Sequence, residues 1–206
     1  MSDKFNSNAE KASYGIGLQM GEQLKSNPFE GLNLNSVFEG MKDAYTGAEF
    51  QVEIPAIQAA FEEINAEITK RREEEAKVLA AEGESFLAEN AKRAEVTVTA
   101  SGLQYEVLTT GEGDKPTAES TVRTHYHGTL INGDVFDSSY DRGQPAEFPV
   151  GGVIKGWTEA LQMMPVGSKW RLYVPHDLAY GERGAGGAIG PYQTLIFDIE
   201  LVEIVG

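Results

Sequence analysis

The sequence predicts an α+β protein: an all-helical amino-terminal dimerisation module, a long connecting α-helix, and a carboxy-terminal antiparallel β-sheet wrapped on one short helix. Three observations predict it. Residues 53–93 hold a single proline, Pro55, and a single glycine, Gly83, among good helix formers. Before that stretch the apolar residues recur at helical spacing. From Val96 onward they alternate and become β-branched. The three parts are read as residues 1–52, 53–93 and 94–206, with the start of the second completing the first.

Residues 9–26 form the first expected helix, with Ile16, Leu18, Met20 and Leu24 as its apolar content. Gly17 and Gly21 lie four apart, so another backbone can approach closely there. Ordinary tight packing is favoured over a ligand role. Asn27-Pro28 is expected to end the helix, because a residue before proline is pushed out of the α region. A second helix is expected from Leu34 to Tyr45, with Leu34, Val37, Phe38, Met41, Ala44 and Tyr45 on one face. Asn33 is its expected N-cap and Gly47 its stop.

Pro55 suits the first turn of the long helix, where its missing N–H costs nothing. Unbroken, this helix runs about 60 Å at 1.5 Å per residue. Ile54, Ile57, Phe61, Ile64 and Ile68 alternate at spacings of three and four, a seam that needs a partner surface. Thr69–Lys77 then reads TKRREEEAK, with no large apolar residue. Lys70–Glu74, Arg71–Glu75 and Glu73–Lys77 are expected to pair across one turn. A helix polar all round bridges modules through solvent. Val78, Leu79, Phe86 and Leu87 offer a second apolar patch for docking the next domain. The reading is an arm holding two modules apart; the apolar gap argues against a helix packed along its whole length in one globule. Two short helices plus a seam rarely bury enough area alone, so a homodimer through the amino-terminal helices is expected.

Thirty-two acidic side chains against 17 basic ones give a net charge of −15. Neither half has a basic surplus, so nucleic acid and anionic membranes are not expected partners. With no cysteine there is no disulfide, thiolate nucleophile or Cys-ligated zinc. The start, MSDKFNSNAE, lacks the apolar core of a signal peptide. No apolar run approaches the ~18 residues of a membrane span. A cytoplasmic location is expected.

Candidate strands are Val96–Thr99, Leu103–Leu108, Val122–Leu130, Glu147–Val150, Lys169–Val174 and Leu195–Ile204. In the last, Leu195, Phe197, Ile199 and Leu201 share one face. Asn132-Gly133 signals a two-residue hairpin turn. Ile154–Met164 reads as the one short helix. His125 and His127 share a strand face but lack an obvious third ligand, so ordinary strand residues are favoured over a metal pair. Asp134, Asp137 and Asp141 suggest a carboxylate pair for hydrolysis, but Asp134 and Asp141 read better as solvated turn residues. Gly181, Gly184, Gly186, Gly187 and Gly190 lack phosphate-loop spacing and read as a mobile flap over a pocket. There is no G-x-S-x-G elbow. Taken alone, Trp157 and Phe197 read as core.

The order of motifs is more specific. VRTHYHGTLINGDVFDSSYD at 122–141 is followed by Val153-Ile154-Lys155-Gly156-Trp157, then Met164-Pro165-Val166-Gly167 and Ala179-Tyr180-Gly181. The series ends with Leu195-Ile196-Phe197-Asp198-Ile199-Glu200-Leu201. Residues 95–206 resemble the FKBP family of peptidyl-prolyl isomerases. KASYGIGLQMGEQL and the arm resemble its dimeric bacterial branch, which includes macrophage infectivity potentiator proteins and 22-kDa FKBPs. The resemblance implies a cofactor-free isomerase with Asp137, Tyr180, Phe136, Trp157 and Phe197 as catalytic residues, and Tyr126, Val153, Ile154, Ile189 and Ala146 binding substrate. It places Trp157 as the floor, with Tyr126, Phe136 and Phe197 as walls and Asp137 at the rim. It makes the Ile154 N–H and the Tyr180 hydroxyl donors to substrate carbonyls. Ala146 stands where an aromatic wall residue is common and Ala185 where a histidine is frequent, so the pocket is expected to be wider on one side. The implied function is acceleration of proline-limited folding by a V-shaped homodimer with chaperone-like binding of unfolded chains, inhibited by macrolides such as FK506 or rapamycin. The alternative is a non-catalytic chaperone or adaptor that binds proline-containing segments.

Overall fold

The computed structural model describes residues 4–26 and 28–205. Three helices come first: α1 (Asn8–Ser26), α2 (Leu34–Thr46) and α3 (Ile54–Asn90). Ser7 and Glu10 cap α1 reciprocally: the Glu10 N–H donates to Ser7 Oγ at 3.1 Å and the Ser7 N–H to Glu10 Oε2 at 2.9 Å. The expected stop of α1 involves Asn27, which lies outside the described residues. Asn33 Oδ1 accepts from the Asn35 and Ser36 N–H groups, and Gly47 closes α2 at φ 67° in the left-handed region.

The chain divides into two compact units, Met1–Arg71 and Arg72–Gly206, so the division falls inside α3. In the first unit no described residue is buried. A Cβ on Gly17 or Gly21 would meet nothing within 4 Å. The close backbone approach expected there is therefore not made among the described residues of this chain. The three expected i,i+4 ion pairs of α3 are also not formed. Arg71 instead reaches Glu30 at 3.1 Å, a solvent-exposed pair of small energetic value.

In the second unit, strands β1 (Val96–Val98), β2 (Gln104–Thr109), β3 (Thr121–Leu130), β4 (Val135–Ser138), β5 (Ala146–Pro149), β6 (Lys169–Val174) and β7 (Leu195–Ile204) form one antiparallel sheet. The order is β1-β2-β6-β7-β3-β4, and β5 shares the β4 side of β3. β4 was not expected. Its VFDS sequence is short and half polar, and it is held by pairing with β3 rather than by propensity. The hairpin between them also differs from expectation. The Gly133 N–H donates to Leu130 O at 3.0 Å, so Ile131 and Asn132 are the central turn residues. Only Gly133, at φ 92°, is left-handed, and the β3·β4 register then shifts by a bulge. A two-residue I′ turn would need Asn132 left-handed as well.

Helix α4 (Lys155–Met163) packs against one face of the sheet. A Cβ on its Gly156 would fall 2.6 Å from Val174 Cγ1, so glycine sets how closely it approaches β6. Leu161 and Met164 pack with Leu103, Val122, Leu172, Leu195, Ile199 and Leu201 in a fully buried core. Each such side chain stabilises the fold by about 1.5–3 kcal/mol. The other face carries charge ladders instead. His127, Asp198 and Arg171 lie in one cross-strand row, and Arg171 grips Asp198 with two bonds of 2.6 and 2.8 Å. The end of α3 is tied to the sheet through Asn90 Nδ2 to Gln104 Oε1 and Gln104 Nε2 to Leu87 O, both 2.9 Å.

Candidate active site

The face covered by α4 opens into a cavity of about 670 Å³ beside that helix. Trp157, in the first turn of α4, is 4% exposed. Its ring stands edge-on to Tyr126 at 5.2 Å, to Phe197 at 5.2 Å and to Phe148 at 5.7 Å. Phe136 meets Phe197 in the same geometry at 5.4 Å. These arrangements satisfy the ring quadrupoles and fix the rings relative to one another. The Trp157 indole N–H is buried without an acceptor among the described residues.

Glycine makes room for this cluster. A Cβ on Gly128 of β3 would fall 2.6 Å from Phe136 Cζ and 3.0 Å from Phe197 Cε1. Gly128→Ala is therefore expected to displace both rings and to lower kcat/KM for a short Xaa-Pro peptide by about tenfold, since small misplacements at a site are costly. A coupled peptide assay on the folded variant checks this.

The rim is polar and ordered. The Tyr126 hydroxyl donates to Asp137 Oδ2. Arg142 donates to Asp137 Oδ1 and, at 2.7 Å, to the Tyr126 hydroxyl, and its guanidinium lies 5.4 Å from the Tyr126 ring centre. Burial pushes the Asp137 carboxyl up, but the Tyr126 and Arg142 hydrogen bonds and the Arg142 charge outweigh it, leaving it below its usual value. Burial, then Asp137, raises the Tyr126 phenol. A carboxyl held lower in the folded chain than in the unfolded one stabilises the fold above its unfolded pKa. That stabilisation is lost as pH falls through the folded value. Asp137 therefore stays ionised, and the rim intact, from neutral pH down to about 5; a pH-rate profile of kcat/KM flat over that window is the expected result.

Above the floor, Ile154 is the N-cap of α4 with extended φ −61° and ψ 150°. Its N–H has no acceptor among the described residues. Tyr180, 41% exposed, stands at the mouth, and Val153 and Ile189 complete the lining. Nine of the ten expected site residues thus surround one cavity. Ala146 does not line it; Phe148, on the same face of β5, does. An aromatic wall is therefore present two residues beyond the expected place. Arg142 was also missed, as was the flap residue Ala188, while Gly186 of the expected glycine-rich flap lines the cavity. Ala185 does line the cavity. His125 is engaged outside it, stacked on Tyr140 at 4.8 Å with Nδ1 3.0 Å from Ser139 Oγ. Among the described residues no three His, Asp or Glu side chains converge as a metal-ligand set.

Over 201 residues the chain is 50% identical to the FKBP-type 22 kDa peptidyl-prolyl cis-trans isomerase of Escherichia coli strain K12, covering 98% of each chain. The chain belongs to the FKBP-type peptidyl-prolyl cis-trans isomerases. Residues 112–202 match the family model of that name, and residues 9–107 match the model of the domain amino terminal to it. The outer membrane protein MIP of Legionella longbeachae is 41% identical over 95% of this chain and 85% of its own. The crystal structure of FkpA from Escherichia coli superimposes with a TM-score of 0.72 at 31% identity, covering 97% of this chain and 98% of the other. This FKBP-type chain is thus an enzyme that interconverts cis and trans peptidyl-prolyl bonds.

Proposed function

We propose that this isomerase turns over prolyl bonds in the Trp157 cavity and acts as a homodimer on folding chains. The observation that carries the first part is the ring cluster around Trp157, which forms an apolar floor between free hydrogen-bond donors. The prolyl imide is held planar by a charge-separated resonance form, and uncatalysed rotation takes tens of seconds or more over a barrier of ~20 kcal/mol. The twisted imide is less polar than the planar one. An apolar pocket therefore binds the twisted form better, relative to water, which is transition-state stabilisation without a covalent step. In this reading Trp157 supports the proline ring, and Tyr126, Phe136, Phe148 and Phe197 wall it in. The Ile154 N–H and the Tyr180 hydroxyl hold the flanking carbonyls. Asp137, oriented by Arg142 and Tyr126, faces the twisting bond from the rim.

Tyr180→Phe tests the donor role, because it removes one oxygen and little else. One hydrogen bond is worth about 0.5–1.5 kcal/mol, so kcat/KM in a protease-coupled assay on a short Xaa-Pro peptide is expected to fall about three- to tenfold. An unchanged value removes Tyr180 from the site.

The homodimer reading is supported by the first unit, where Leu34, Phe38, Phe50, Ile54 and Phe61 are all exposed in the single chain. A second copy would cover the seam of α3 and these faces. Two sites on one particle raise the local concentration of a captured unfolded chain at the second site.

A further inference from the structure

One wall of the cavity, Ala185, Gly186, Ala188 and Ile189, belongs to the glycine-rich flap. Two backbone bonds close it: the Ala185 N–H donates to Ile189 O at 2.9 Å and the Ile189 N–H to Ala185 O at 3.0 Å. A Cβ on Gly184 would fall 2.1 Å from Ile189 O, so this closure requires glycine. The flap returns to the sheet through Gly190–Thr194. There the Tyr192 N–H donates to Gly181 O at 2.9 Å, and Tyr192 is held at a left-handed φ of 57°, a conformation that non-glycine residues keep only where surroundings impose it.

What faces that return segment is α3. A Cβ on Gly83 would fall 2.5 Å from Thr194 Oγ1, and Thr194 is only 3% exposed. Leu79 lies four residues earlier on the same face of the helix. Its Cδ1 is 3.3 Å from where a Cβ on Gly190 would stand. The two contacts bracket the return: Gly190 ends the flap, and Thr194 precedes the strand that carries Phe197. Neither Leu79 nor Gly83 lines the cavity.

We propose that the Leu79–Gly83 face of α3 is the seat of the flap, so that the connecting helix positions one wall of the catalytic cavity. This rests on the cavity being the prolyl site, but its test reads the flap directly as well as turnover. In the full-length chain, Leu79→Ala withdraws the support from Gly190. Hydrogen exchange at the Ala185 and Ile189 amides is expected to quicken about tenfold, because opening of that segment becomes easier, while the amides of β7 keep their protection. KM for a short Xaa-Pro peptide is expected to rise about threefold with kcat little changed, since a wall that binds substrate and transition state alike acts on KM.

Gly83→Ala drives a methyl into Thr194 and is expected to shift KM in the same direction. Gly83→Ala with Thr194→Ala removes the opposing oxygen and is expected to restore it, a coupling that independent sites do not show. Unchanged exchange at Ala185 and Ile189 in Leu79→Ala overturns the proposal. So does a Gly83→Ala chain that melts earlier with KM unmoved. Should Gly83→Ala not fold, Leu79→Ala decides alone.

Discussion

Trp157→Ala is expected to lower kcat/KM for a short Xaa-Pro peptide by about a hundredfold, which corresponds to about 2.7 kcal/mol of lost transition-state stabilisation. The reason is the position of the indole, edge-on to Tyr126, Phe148 and Phe197 at once. Removing it takes away the floor and lets water into the cavity. Water stabilises the planar, charge-separated imide more than the twisted one, so the barrier returns toward its solution value. The same substitution deletes a large buried side chain, at a cost of about 3–5 kcal/mol in folding stability. Trp157→Leu separates the two effects, since it keeps most of the apolar volume. It is expected to melt closer to the parent and to retain more activity than Trp157→Ala. Assays well below each variant's Tm make the comparison. Full activity in folded Trp157→Ala would place the chemistry elsewhere.

How much of this could be read from residues alone depended on whether the signal was local. The alternation of Leu195, Phe197, Ile199 and Leu201 specified a half-buried strand, and those four residues are buried. Asn33 and Gly47 marked the ends of α2 through the chemistry of their own neighbours. The failures have a different character. β4 owes its existence to pairing with β3 and carries little propensity of its own. The Asn132-Gly133 pair signalled a turn but not its centre, because the bulge between Gly128 and Thr129 resets the register. The three charge pairs expected on α3 depended on helical spacing alone, and Arg71 found Glu30, far away in sequence. Arg142 offered no local signal either. Its role arises because the loop after β4 brings it back over Tyr126 and Asp137. For the nine expected residues that line the cavity the ordered motifs carried the information. Ala146 was misplaced because two positions on one face of β5 look alike until the strand's contact with Trp157 selects Phe148.

On the proposed homodimer reading, Phe61→Glu is expected to sediment as a monomer where the parent chain sediments as a dimer, and to slow catalysis of proline-limited refolding by at least about tenfold through loss of the second site. Phe61 is 54% exposed in the single chain, yet it sits mid-way along the Ile54–Ile68 seam. A carboxylate there, covered by a second copy, would be desolvated without a partner, a cost of several kcal/mol. The first unit has no buried side chain of its own among the described residues, so its helices gain little from packing in one copy. Helical content should therefore fall along with association, and become concentration-dependent in the parent. Turnover of a short peptide should survive, because every residue lining the Trp157 cavity comes from beyond Arg72. That split between peptide and protein substrates distinguishes the dimer reading from a general loss of fold. A Phe61→Glu chain that still sediments as a dimer, or one that refolds proteins as fast as the parent, would refute it.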